Sequence, residues 1–239
     1  MDIKALLFDK DGTLFDFHAT WGVWAARLLD HLSAGDTVLR ADLAGAIDYD
    51  LAASRFRPTS VAIAGTMDEI VEAMLAHLPK RTASDLAREM HLMAQEAPQV
   101  AAAPLDVLLP QLRGMGLKLG VMTNDSEASA KVHLTREAAL DYFDCVFGAD
   151  SGHGAKPDPA PLLALAHRLG VAPAHCVMLG DSLHDLQAAK AAGMVPVGVL
   201  TGPASAEDLA PHARAVLGDI GELPQWLARQ DCDLCPVTG

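Results

Sequence analysis

Short apolar runs alternating with stretches of helical periodicity constrain this chain more than any other feature. The runs fall at residues 3–9, 117–122, 145–147, 176–179 and 195–200. Helical patterns over 105–113, 126–138, 161–169 and 183–192 interleave with them. A strand buried on both faces reads as a continuous apolar run, and strands joined through helices lie parallel. The pattern therefore predicts an α/β fold, a Rossmann-like parallel sheet covered by helices on both sides. Gly114, Gly170 and Gly193 punctuate three helix ends, where a left-handed residue is expected. An apolar content of 51% with only 5% aromatic residues fits a helix-rich α/β protein better than a β-sandwich.

The alternation breaks between the first run and the second. Residues 21–32, 40–53, 67–78 and 83–95 carry helical patterns, with no convincing strand run among them. This predicts an all-helical cap, residues 17–100, inserted into a catalytic core made of 1–16 and 101–230. The hinges are expected near 15–17 and 98–104. The tail, 231–239, lacks periodicity and is expected to be loosely held.

The chain of 239 residues carries a formal charge of −13. That argues against nucleic acid as a partner, because attraction to a phosphate backbone needs clustered Lys and Arg. It also repels small anions at long range, so an anionic ligand must be captured by local cations or a metal. No run reaches the roughly 20 apolar residues that span a bilayer. Met1-Asp2-Ile3-Lys4 does not begin a signal peptide. A cytoplasmic protein, monomer or homodimer, is expected, with no membrane partner. Cys145 and Cys176 lie in apolar surroundings and read as core thiols. Cys232 and Cys235 have the spacing of half a zinc site, with no second pair to complete it.

The first run ends in Asp9-Lys10-Asp11-Gly12-Thr13. Alternating strand side chains let Asp9 and Asp11 point one way while Lys10 points elsewhere. Two carboxylates so close need a cation or a proton to relieve their repulsion. The carboxyl ends of strands in an open α/β sheet are where ligands bind, and Gly12 permits a tight turn there. Three further strings follow later strands. Met122-Thr123-Asn124 supplies a hydroxyl and an amide; Gly154-Ala155-Lys156-Pro157 supplies a cation on a stiffened loop; Gly180-Asp181-Ser182-Leu183-His184-Asp185 supplies two more carboxylates. Such an inventory suits attack on phosphorus by a carboxylate. A hard dication, a lysine and a hydroxyl would balance the phosphoryl oxygens, and a second carboxyl would move protons. Oxygen-only ligands favour magnesium.

Each string also has a plain structural reading. Asp-Gly is common in turns, Thr123-Asn124 can cap a helix, and Lys156 can be solvated surface. Asp181 or Ser182 can cap the following helix, and Asp185 can favour its first turn. Their common placement at strand ends, in this order, favours the chemical reading.

With these strings the chain resembles the haloacid dehalogenase superfamily, in its phosphoglycolate-phosphatase-like branch. The four family motifs match residues 9–13, Thr123, Lys156 and 180–185. The resemblance implies a magnesium-dependent phosphatase acting on a small phosphorylated metabolite. Asp9 would be nucleophile and metal ligand. Asp11 would be acid then base, with its backbone carbonyl on the metal. Thr123 and Lys156 would hold the phosphoryl group beside Gly12 and Asn124, while Asp181 would bind the metal and Asp185 would support it. The inserted segment would be the cap, closing to exclude water from the first step.

Specificity should then reside in the cap. Arg55 and Arg57, in Arg55-Phe56-Arg57-Pro58-Thr59-Ser60, are candidates for gripping a substrate carboxylate such as that of 2-phosphoglycolate. They read equally well as solvated arginines before a helix cap. Trp21 and Trp24 read as packing residues, and His184 as an exposed first-turn residue. Retention of Asp11 favours phosphoryl transfer over carbon–halogen cleavage. A sugar-phosphate mutase shares the first half-reaction and stays open. A catalytically silent interaction protein would show a damaged motif, and none is damaged.

Overall fold

The computed structural model describes residues 2–57 and 59–232. It opens with strand β1 (Ala5–Phe8), whose four residues are all buried. A π-helical turn (His18–Gly22) leads into α1 (Val23–Ser33) and α2 (Thr37–Ala46). A two-stranded hairpin follows, β2 (Tyr49–Asp50) antiparallel to β3 (Arg55–Phe56), and then α3 (Val61–Ala64), α4 (Met67–Leu75) and α5 (Ala83–Gln95). From there strand and helix alternate: α6 (Leu105–Gly114), β4 (Lys118–Met122), α7 (Glu127–Arg136), β5 (Cys145–Phe147), α8 (Ala160–Leu169) and β6 (Cys176–Gly180). The last elements are α9 (Leu183–Ala191), β7 (Val195–Val199), α10 (Ala206–Leu209), β8 (Ala215–Leu217) and α11 (Leu223–Cys232).

The main sheet has six strands in the order β5-β4-β1-β6-β7-β8, every pairing parallel. The first strand of the chain is thus central, and Phe8 lies level with Val121 of β4 and Leu179 of β6. Strand alternation divides β1 between two apolar layers. Leu6 and Phe8 pack with residues of α6, α7 and α11, whereas Ala5 and Leu7 pack with residues of α8 and α9. Burial on both faces explains why β1 reads as one unbroken apolar run.

The inserted segment has its own apolar cluster, drawn from residues 17–97 and centred on Trp24, Leu28, Leu43, Met74 and Met90. Its helices begin where side chains cap them. Asp36 accepts from Val38 and Leu39, Thr66 and Glu69 form a capping box, and Thr82 accepts from Asp85. The two chain crossings run side by side: Asp16 N donates to Val100 O at 2.8 Å and Ala102 N to Leu14 O at 2.9 Å. No helix among the described residues is long and apolar enough to cross a membrane.

Two expectations need correction, and one strand was not anticipated. The segment is not all-helical, because the pattern over 40–53 breaks at Ala46 and gives way to the hairpin. Asp48 and Ser54 adopt left-handed backbone conformations, and Asp50 Oδ1 accepts from Ala52 N and Ala53 N at 3.0 Å each. An aspartate that satisfies the backbone locally offers an alternative to helix, and here that alternative prevails. Gly114 ends α6 as a helical residue, while Gly116 takes the left-handed conformation (φ +81°). Gly170 and Gly193 behave as expected. Finally, β8 was not read as a strand, being three residues long and only partly buried. Residues 233–239 of the tail, Cys235 among them, lie outside the described residues, whereas 231 and 232 end α11. Cys176 is buried as expected, and its thiol is pushed up to about 11 by burial.

Candidate active site

Because β1, β4 and β6 are adjacent and parallel, Asp9, Thr123 and Asp181 emerge together at one sheet edge. Asp9 is 7% exposed, and its N–H is held by Leu179 O at 2.8 Å. Lys156, on the loop after β5, places Nζ 2.6 Å from Asp9 Oδ1 and 2.6 Å from Asp185 Oδ1. The lysine is buried against these carboxylates and is not part of the solvated surface. Asn124 explains how its loop is held. Asn124 Nδ2 donates to Lys156 O and Lys156 N donates to Asn124 Oδ1, both at 2.9 Å.

Asp185 serves two ends at once. Its Oδ2 accepts from Ser182 N at 3.1 Å and Ser182 Oγ at 2.6 Å, capping α9, while Oδ1 meets Lys156. Asp185 thus caps α9, as its structural reading has it, while its other oxygen meets a lysine.

Asp9, Asp181 and Asp185 each offer an oxygen within 4.8 Å of the others, and all three are buried. Burial raises Asp9 to about 7, against the opposing pull of the Lys156 ammonium. Burial, followed by the Asp9 and Asp185 carboxylates, pushes Asp181 well above the ordinary range. Burial tends to lower Lys156, but Asp185 and Asp9 outweigh it and the net shift is upward. One ammonium therefore faces three carboxylates. Asp181 Oδ2 is buried and has no hydrogen-bond partner among the described residues. Close backbone surrounds it: a Cβ at Gly12 (φ +86°) would lie 2.3 Å from that oxygen, and one at Gly202 1.7 Å. Surplus negative charge, oxygen-only donors and an orphaned carboxylate oxygen fit a hard divalent cation.

Asp11 stands apart from this cluster, with its Oδ1 accepting from Lys10 Nζ at 2.7 Å. Thr123 is 1% exposed, and its Oγ1 accepts from Asp125 N at 3.1 Å. Asp9, Asp11, Thr123, Asn124, Lys156, Asp181 and Asp185 all line one cavity.

Arg55 and Arg57 do not reach this cavity. In β3 and its continuation, Phe56 faces inward and lines the cavity, so both neighbours face outward. Arg57 instead lies 3.6 Å from Asp50 and 3.9 Å from Asp48, beside the hairpin. Trp21 and Trp24 pack the inserted segment, as expected, but also line the cavity, and so does the half-buried His184.

Sequence reasoning missed a second charged cluster behind Asp11. Lys10 is fully buried, 3.3 Å from Asp125 and 3.1 Å from His133 Nδ1, with its ammonium 5.3 Å from the centre of a Trp21 ring. His133 Nε2 lies 2.8 Å from Ala94 O on α5. Because Nδ1 faces an ammonium, it accepts, and Nε2–H donates to the carbonyl. Burial and then Lys10 lower His133 to about 4, which keeps it neutral. Burial pulls Lys10 down, but Asp11 and Asp125 outweigh it and its net shift is upward. The lysine between two aspartates was the available signal.

A family model for haloacid dehalogenase-like hydrolases matches residues 3–193. A phosphoglycolate phosphatase from Nitrosospira multiformis is 31% identical over 194 residues, covering 81% of each chain. One from Rhodospirillum rubrum is 43% identical over 121 residues, half of each chain. The chain spans about half the length of the first curated relatives it matches. Among solved structures, a HAD phosphatase from Thermococcus onnurineus is similar, with 26% identity and a TM-score of 0.67. The match covers 94% of this chain and 98% of that one. The chain belongs to the haloacid dehalogenase-like hydrolase family.

Proposed function

We propose that the protein hydrolyses a small phosphate monoester through a phospho-aspartate on Asp9. The observation that carries this reading is Asp9 itself, a buried carboxylate at the end of the central strand with a lysine ammonium 2.6 Å away. A nucleophile for an anionic substrate needs its own charge balanced, and Lys156 does this while being able to contact phosphoryl oxygens.

In the first displacement an Asp9 oxygen bonds to phosphorus and the ester oxygen leaves, taking a proton from Asp11. In the second, Asp11 removes a proton from water, whose oxygen displaces Asp9 and releases inorganic phosphate. Thr123 and Lys156 hold the phosphoryl oxygens, and Asn124 keeps the Lys156 loop in place. Asp9, Asp181 and the Asp11 carbonyl would hold magnesium, supported by Asp185. Bound there, magnesium supplies charge screening between the attacking carboxylate and the phosphoryl oxygens. The inserted segment over this edge supports a role in limiting water during the first displacement.

The relatives named phosphoglycolate phosphatase make 2-phosphoglycolate one substrate to test. The test is turnover of a panel of phosphate esters, with and without magnesium, beside an Asp9→Asn variant. The panel includes 2-phosphoglycolate, sugar phosphates and nucleoside monophosphates. The reading requires magnesium-dependent phosphate release that the variant lacks. Turnover retained by Asp9→Asn would remove it.

A further inference from the structure

The cavity over Asp9 has two unlike halves. Its floor, from the core, carries the carboxylates, Thr123 and Lys156. Its roof, from the inserted segment, is formed chiefly by Phe17, Trp21, Trp24, Phe56, Met67 and Ile70. Among the described residues, no charged or amide side chain of the inserted segment lines the cavity. Resting on the phosphatase reading above, we propose that the leaving alcohol is a flat, apolar ring system. The substrate is then the phosphate monoester of a ring-bearing alcohol, not of a small acid or a polyol.

A carboxylate against this roof would be stripped of water and meet no lysine or arginine of the inserted segment among the described residues. Lys156 is the only lysine or arginine lining the cavity among the described residues, and Asp9 and Asp185 already share it. Arg55 and Arg57, the nearest sequence candidates for such a cation, lie outside the cavity. The hydroxyls of a sugar would lose water hydrogen bonds without replacement on that side. An apolar ring loses nothing there, and its burial is favourable in proportion to area.

Roof geometry favours flatness. The Trp21 and Trp24 rings meet edge to face, with centroids 5.2 Å apart at 85°, and Phe17 and Phe56 do so at 5.9 Å and 62°. Aromatic ligands make face and edge contacts of the same kinds with rings such as these.

The experiment compares kcat/KM for benzyl phosphate, 2-phosphoglycolate and glucose 6-phosphate with magnesium present. All three release primary alcohols, so recognition decides the ranking. Benzyl phosphate should lead by at least about tenfold, the worth of a buried ring over an unpaired polar group. Trp21→Ala should raise KM for benzyl phosphate more than for 2-phosphoglycolate. Should that variant fail to fold, Ile63→Arg, on the partly exposed rim of the same cavity, adds a cation and should shift preference toward 2-phosphoglycolate. If 2-phosphoglycolate or glucose 6-phosphate matches benzyl phosphate within about threefold, or exceeds it, the ring-ester inference is overturned. Provided Asp9→Asn abolishes that turnover, the phosphatase reading survives. No turnover of any of the three overturns both.

Discussion

Lys156 holds its ammonium nitrogen 2.6 Å from the carboxylate of Asp9, although 147 positions separate the two in the chain. The contact is buried at both ends, and the same nitrogen is 2.6 Å from Asp185. Removing the ammonium leaves three carboxylates in one buried cluster with no fixed cation. Lys156→Met should therefore lower kcat by roughly 10²–10³, the usual loss when one electrostatic contact to a transition state is deleted. It should also lower Tm in magnesium-free buffer, with part of that loss recovered on adding magnesium. Full activity in Lys156→Met would contradict the role assigned to this residue.

Gly12 and Asp181 make the next prediction. Gly12 has φ +86°, and a Cβ there would lie 2.3 Å from Asp181 Oδ2. Gly12→Ala combines left-handed strain, about 1–2 kcal/mol, with displacement of a carboxylate. Stability should fall by that modest amount while magnesium affinity falls roughly 10–100-fold. Isothermal titration with magnesium, beside a chemical melt, separates the two. An unchanged metal affinity would mean that Asp181 is not a ligand.

Asp9, Asp11, Lys156, Asp181 and Asp185 were legible because each sits in a short local string at a strand end, and parallel pairing brings such ends together. The positions of Arg55 and Arg57 were not legible. Which way a strand residue faces depends on register, and a hairpin of two paired residues on each strand has no periodic signal to set it. The hairpin itself was hidden in a helical pattern that the Asp50 turn overrides. The cluster around Lys10 was hidden for a different reason. Lys10 and His133 are 123 positions apart, and a buried lysine is exceptional enough that sequence alone assigns it to solvent.

The outward-facing arginines give a prediction opposite to the sequence expectation. Arg57 is 60% exposed and pairs only with the hairpin acids Asp48 and Asp50 among the described residues. Exposed pairs of this kind contribute about 0–1 kcal/mol. Arg55→Ala and Arg57→Ala should leave the ratio of kcat/KM for 2-phosphoglycolate to that for benzyl phosphate within about twofold of the unsubstituted protein. A selective collapse of 2-phosphoglycolate turnover in either variant would restore these residues to the site.

His133 supplies a pH dependence of stability. It faces Lys10 and, more distantly, Asp11 and Arg136, while its Nε2–H is held by Ala94 O on α5. In the folded protein it titrates near 4, and an unburied histidine titrates near 6.5. The folded state thus binds fewer protons than the unfolded chain between these values. Stability from the neutral ring is fully present above 6.5 and is lost as pH falls through 4. At ~1.36 kcal/mol per pH unit, the interval corresponds to roughly 3 kcal/mol. His133→Gln has no group to titrate there, so its stability should fall less on acidification, by about that amount. Urea melts at half-unit steps from pH 7.5 to 4, run in parallel, cancel the contributions common to both proteins, including those of the raised carboxylates. Parallel profiles would mean that the His133 ring titrates in the folded protein as it does in the unfolded chain.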